Sequence, residues 1–163
     1  MTLPPLWPVF DGHNDLLLNL WLQHDDDPAA AFYSRVTPGH LDFSRMRRGG
    51  FFGGLFAVFI PPVSYIAQMR NQTQDEAQAT FDPLAIAERQ IAILQQLEQA
   101  SQGRLRICRT ATEIEQCRLN RQIAAVLHIE GAGMIDAELT QLEAFYRLGV
   151  RSIGPFWNLP NAF

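Results

Sequence analysis

Short continuous apolar runs alternate along this chain with stretches in which apolar positions recur every three or four residues. "LWPVFD" (6–11) predicts a buried strand that delivers His13 just beyond its carboxyl end. "GGLFAVFIPP" predicts a second, bracketed by Gly53, Gly54 and the Pro61–Pro62 stop. From Asp82 the period becomes helical: Asp82 suits the N-cap, Pro83 the first helical position and Gly103 the residue after the end. Leu84, Ala87, Ile91 and Leu94 form its apolar stripe. "LRIC" predicts a brief extra strand, and Thr110 and Glu113 have capping-box spacing for a short helix containing Ile114. "IAAVLHIEG" is the strongest strand pattern in the chain. A helix is expected from Ala137 to Leu148, with Leu139, Leu142 and Phe145 on one face and Gly149 as its stop; "VRSIG" then reads as a last strand. "RMRRGG" reads as positive charge at a helix C-terminus followed by its glycine stop.

Alternating strand and helix favours a parallel sheet with helical crossovers, and apolar runs without polar alternation fit strands covered on both faces. The main strands are about half of the eight that a closed barrel of this type needs, so the pattern fits a small open sheet or half a barrel. No repeat, low-complexity segment or linker divides the 163 residues, which are the size of one domain. Charged residues make up only 18%, against an average near 25%, which points to unusual burial or to a surface meant to be covered. A net charge of −4 gives no reason to expect nucleic acid. No stretch approaches the roughly 20 apolar residues of a membrane span. "MTLPPLWPVFDG" lacks the basic region and apolar core of a secretory signal, so a cytoplasmic location is expected. Cys108 and Cys117 are too far apart for a CxxC site and are expected as separate reduced thiols.

Within "FDGHNDLLLNL", His13 and Asp15 are two residues apart. At an extended strand end their side chains share a side, and an imidazole nitrogen and a carboxylate oxygen can meet one cation. The competing reading is that Asp15 caps a helix beginning at Leu16 while His13 packs in a loop. Glu130 ends the most apolar strand, just before Gly131. A carboxylate there is costly to bury unless a cation or hydrogen-bond donors meet it, and strand carboxyl ends are where ligands bind in parallel sheets. Its alternative is an exposed loop carboxylate. His128, two residues earlier, shares Glu130's side of the strand and is expected as a core histidine bonded to backbone. His24 with Asp25, Asp26 and Asp27 reads as a solvated loop. "GAGMID" resembles the start of a dinucleotide fingerprint, but its third glycine is replaced by Asp136, and Glu130 would repel a pyrophosphate. Serine-hydrolase elbows, Walker loops and HExxH are absent from the sequence.

Taken together, "DGHND", "GGFFGGLFAVFIPP", "HIEGAGMID" and "LEAFYRLGVRSIG" resemble, in the right order, the membrane (renal) dipeptidase family of zinc peptidases in its bacterial form. The resemblance implies the N-terminal half, about four β/α units, of a (β/α)8 barrel, with residues 1–163 a single partial domain. It implies hydrolysis of dipeptides, including those with a C-terminal D-residue, by a metal-activated hydroxide between two zinc ions. His13 and Asp15 would bind one zinc and Glu130 would bridge both. The second zinc's two histidines and a carboxylate-binding arginine are expected beyond Phe163. Pro155 stands where many members carry a histidine. The implied partners are a dipeptide and either a complementing C-terminal half or a second copy, and the 163 residues alone are expected to be inactive. The alternative is a non-catalytic half-barrel descendant that binds a cation or a partner.

Overall fold

The computed structural model describes residues 7–23, 25–34, 39–157 and 159–163. Along the chain follow β1 (Val9–Asn14), α1 (Leu16–Gln23), α2 (Pro28–Ser34), α3 (Phe43–Arg48) and β2 (Phe51–Phe59). Next come α4 (Val63–Arg70), α5 (Gln74–Ala79), α6 (Pro83–Ala100), β3 (Leu105–Ile107) and α7 (Ala111–Leu119). β4 (Ile123–Glu130), α8 (Leu142–Leu148) and β5 (Val150–Gly154) complete the order. The sheet is parallel throughout, in the order β1-β2-β4-β3, with β5 also paired to β4. β2 runs along one edge of β4 from Ala124 to Glu130. The other edge is shared: β3 takes Ile123–Ala125 and β5 takes Leu127–Glu130. The expected α/β class with a parallel sheet is what the chain forms.

Local chemistry explains most boundaries. Asp82 accepts from the backbone N–H groups of Leu84 and Ala85 to start α6, with Pro83 inside the first turn. Thr110 and Glu113 close a full capping box on α7. Gly49 ends α3 behind Arg45, Arg47 and Arg48. β2 begins with aromatics and continues with two glycines for a steric reason. A Cβ on Gly53 would lie 2.7 Å from the Ala124 carbonyl oxygen, and one on Gly54 would lie 2.9 Å from Asp11.

Three expectations change. The buried strand expected over 6–11 is displaced to Val9–Asn14, so that His13 lies within it, and all of it but Asp11 and Asn14 is exposed. Leu6 falls outside the described residues, Pro8 has no N–H to donate, and the first ladder bond runs from Val9 N–H to the Gly50 carbonyl. The helix expected from Ala137 starts only at Leu142. The Asp136 carboxylate gathers the N–H and hydroxyl of Thr140 and the side-chain amide of Gln141, folding 136–141 into a side-chain-capped loop. Leu139 takes a left-handed φ of 60° there and is exposed instead of lining a helix face. The two thiols are free, as expected, but they are neighbours in space: Cys108 and Cys117 are buried with their sulfurs 3.5 Å apart. Burial pushes both thiols up from their ordinary range.

The two faces of β4 go to different neighbours. Ile123, Ala125, Leu127 and Ile129 join the main core, which includes Leu17 and Leu20 of α1 and Ile91, Leu94 and Leu97 of α6. Ala124 and Val126 face a smaller cluster with Cys108, with Cys117 and Ile114 of α7, and with Leu55 of β2. By strand alternation, His128 and Glu130 continue that second face. α7 therefore occupies the amino-end floor of the same sheet face whose carboxyl end carries Glu130.

Candidate metal centre

The tripeptide His13-Asn14-Asp15 divides its work by direction. Asn14, the middle residue, is buried; its amide donates to the Asp11 carboxylate (3.1 Å) and to the Leu55 carbonyl (3.1 Å). Its oxygen also accepts from Leu16 N–H (3.4 Å), so the side chain at the head of α1 is Asn14. Asp15 makes no such capping bond; only its main-chain carbonyl serves the helix, accepting from Asn19. The helix-cap role weighed for Asp15 thus belongs to its neighbour, and the flanking His13 and Asp15 stay half-exposed on the other side.

Glu130 reaches the same place from β4, across β2. His13 Nε2 lies 3.4 Å from Asp15 Oδ1 and 3.5 Å from Glu130 Oε2, and one donor atom from each residue lies within 4.8 Å of the other two. These separations exceed the 2.7–2.9 Å of a charge-assisted hydrogen bond. The two distances from His13 match the edge, about 3.3–3.6 Å, of a tetrahedron whose centre is 2.0–2.2 Å from each ligand, and the two carboxylates lie within 4.8 Å of each other. The donor set therefore fits a cation better than it fits a hydrogen-bonded triad. Burial raises the Glu130 carboxyl above its ordinary range; His13 opposes that shift and Asp15 adds to it. Two facing carboxylates call for positive charge between them.

His128 lies one rung below on the same face. Its Nδ1 is 2.8 Å from the Ser152 hydroxyl on β5, so its partner is a side chain and not backbone. Its ring meets that of His13 edge-on, with centroids 6.2 Å apart. His24 lies outside the described residues. Asp25 is held by Arg89 at 2.6 Å, and Asp27 accepts from Ala30 N–H, which accounts for two of the three aspartates beside it.

The profile of the membrane dipeptidase family (Peptidase family M19) matches residues 3–163. The chain belongs to this family. Its likeness to a metallopeptidase of Rhodobacter sphaeroides, solved with a phosphinate mimic of the dipeptide L-Ala-D-Ala, has a TM-score of 0.81 at 34% identity, covering 96% of this chain and 47% of that one. An uncharacterised protein of Acinetobacter calcoaceticus, from a PQQ-III 3′ region, is 42% identical over 160 residues, 96% of this chain and 50% of the relative. A dipeptidase (verJ) of Clonostachys rogersoniana is 28% identical over 148 residues, 90% of this chain and 37% of the relative. The chain thus spans about half the length of the Acinetobacter and Rhodobacter proteins. Against the solved relative, the sheet reads as about half of the family's barrel-like fold.

Sequence reasoning missed the aromatic surroundings of the donors. A cavity of about 590 Å³ is bordered by His13, Asp15 and Glu130 together with Phe59, Tyr65 and Trp157. Pro155 is absent from that lining: its carbonyl accepts from Ala132 N–H and the Asn161 amide, and the side chain that reaches the cavity is Trp157, two residues later. The signal was present in "GPFWN", where two aromatics follow a strand end. No helix among the described residues is long and apolar enough to cross a membrane.

Proposed function

We propose that this chain forms the N-terminal part of a dinuclear zinc dipeptidase. In this reading His13 and Asp15 would hold one zinc, and Glu130 would serve that zinc and a second. The observation that carries it is the convergence of one imidazole and two carboxylates at the carboxyl ends of β1 and β4, with the imidazole nitrogen 3.4 and 3.5 Å from the two carboxylate oxygens. When bound, the metals would supply Lewis acidity and a water acidified to near neutral pH as the nucleophile for a peptide carbonyl. The chain's own part is to hold the donors. Asn14 fixes the β1 end so that His13 and Asp15 face the cavity, and β2 and β5, on either side of β4, fix the height of Glu130. The family and the relative bound to an L-Ala-D-Ala mimic support dipeptides, including those with a C-terminal D-residue, as substrates. The remaining donors would come from residues outside this chain, and the 163 residues alone would not turn over.

The test is calorimetric titration of the chain with zinc, beside its Glu130→Gln variant. Saturable uptake that the variant loses supports the reading. Equal uptake by both overturns the role of Glu130 and favours the non-catalytic half-barrel descendant that binds a cation or a partner. Fusion to the C-terminal half of the Rhodobacter relative, followed by assay of L-Ala-D-Ala with and without chelator, extends the test to activity.

A further inference from the structure

We infer that Cys108 and Cys117 form a thiol–disulfide site, at which a small-molecule disulfide oxidises the pair and ties α7 to the end of β3. The chain has two cysteines, and the fold brings both to one point. Cys108 is the residue after β3, and Cys117 lies in the last turn of α7. Both side chains are fully buried, with their sulfurs 3.5 Å apart. Each backbone is fixed independently of the other. Cys108 N–H donates to the Ala125 carbonyl (2.8 Å) and so prolongs the β3–β4 ladder, while the Cys117 carbonyl accepts from Gln122 N–H (2.9 Å) just before β4. A disulfide bond is about 2.05 Å long, so the sulfurs need to approach by about 1.5 Å, a distance that small side-chain rotations cover.

α7 is the cover over this pair, and it is lightly held. Among its residues only Cys117 is fully buried. Its other attachments are the capping box of Thr110 and Glu113, the ion pair of Glu113 with Arg106 (2.8 Å) and the packing of Ile114 on the small cluster. An element with so few buried contacts opens locally at less cost than the whole domain. While α7 is seated, no oxidant reaches either sulfur, and burial keeps both thiols protonated and unreactive. When α7 lifts, one thiol loses its proton and the thiolate attacks a sulfur of the small disulfide. One small thiolate leaves, and a mixed disulfide remains on the protein. The second cysteine's thiolate then attacks the protein sulfur of that mixed disulfide and expels the other small thiolate. The two protons lost by the cysteines go to the two leaving groups. The pair is thus oxidised by two electrons, and the small disulfide is reduced to two thiols. The new bond closes the loop from Cys108 to Cys117, which restricts the unfolded chain and leaves α7 harder to lift.

The test equilibrates the reduced 163-residue chain in buffers of graded reduced-to-oxidised glutathione ratio. Acid quenching, labelling of the free thiols in denaturant and mass spectrometry then report the state of each cysteine. Both thiols should disappear together, with no glutathione retained and with Cys108 cross-linked to Cys117 inside one chain. The oxidised chain should melt about 5–10 °C above the reduced one, the gain expected from closing so short a loop. Thr110→Ala, which removes a capping bond of α7, should speed disulfide formation severalfold by easing the opening. Cys117→Ala should show no thermal gain in the same buffers. Thiols that stay free in the most oxidising buffer, a stable glutathione adduct on either cysteine of the unsubstituted chain, or a cross-link between chains overturns the proposal. So does an oxidised chain that melts no higher than the reduced one, or a gain that persists in Cys117→Ala. An oxidation rate unmoved by Thr110→Ala overturns the gating by α7.

Discussion

Three consecutive residues at the end of β1 carry opposite expectations. His13→Ala removes a donor that packs little, so zinc affinity should fall by more than about tenfold while thermal stability barely moves. Asn14→Ala removes a buried amide and strands the Leu55 carbonyl it serves, at a cost of about 1–3 kcal/mol. Paired melting curves and zinc titrations separate the two. An unchanged zinc affinity with a large stability loss in His13→Ala would make His13 a packing residue. Glu130→Gln should behave like His13→Ala, keeping the fold and losing zinc, because an amide cannot neutralise a cation. The sequence pointed to these donors through residue type and spacing. It could not show that Asn14, and not Asp15, heads α1, because both residue types cap helices equally well and only the packing against Leu55 decides between them.

At the level of elements, α7 depends on its capping box and on little else from its own sequence, since only Cys117 among its residues is fully buried. Thr110→Ala should cost about 1 kcal/mol, a fall of roughly 2–4 °C in melting temperature for a chain of this size. Glu113 accepts from the N–H groups of Arg109 and Thr110 and pairs with Arg106, and these bonds hold its carboxyl below the ordinary carboxylate range. A depressed native pKa means that its stabilisation is present above the unfolded pKa and is lost as pH falls through the native one. Glu113→Gln should therefore destabilise at neutral pH, with the difference shrinking below about pH 4, as a melting series against pH would show. The caps at Asp82, Thr110 and Gly149 were legible because each is a local bond within a few residues. The helix expected from Ala137 failed for the same kind of reason: Asp136 binds Thr140 and Gln141 more effectively than the apolar spacing of Leu139 can extend the helix. α4 and α5 lack a long apolar stripe, so periodicity did not announce them, although Thr73 and Glu76 close a second capping box.

Across the whole molecule, the shortage of charge seen in composition shows most at the two edges of the sheet. Among the described residues β1 pairs only with β2 and β5 only with β4, leaving a parallel edge on each. Trp7, Val9 and Phe10 are exposed beside the first, and Leu139, Tyr146 and Ile153 beside the second, where they border an apolar hollow of about 510 Å³. Unpaired edges of this kind invite strand pairing with another chain. Light scattering should find concentration-dependent association, and Ile153→Lys should reduce it; a monodisperse monomer at high concentration would contradict this. The parallel sheet was legible because β2 and β4 are continuously apolar, whereas the forked edge of β4 was not, since three residues of β3 carry no signal for which strand they join. The position of α7 has one more effect. With Cys117 and Ile114 pressed onto Ala124, Val126 and Leu55, this face of the sheet is stoppered at its amino end. Solvent therefore meets His13, Asp15 and Glu130 at the carboxyl end of this face, beside Tyr65 and Trp157, while α7 occupies the other end.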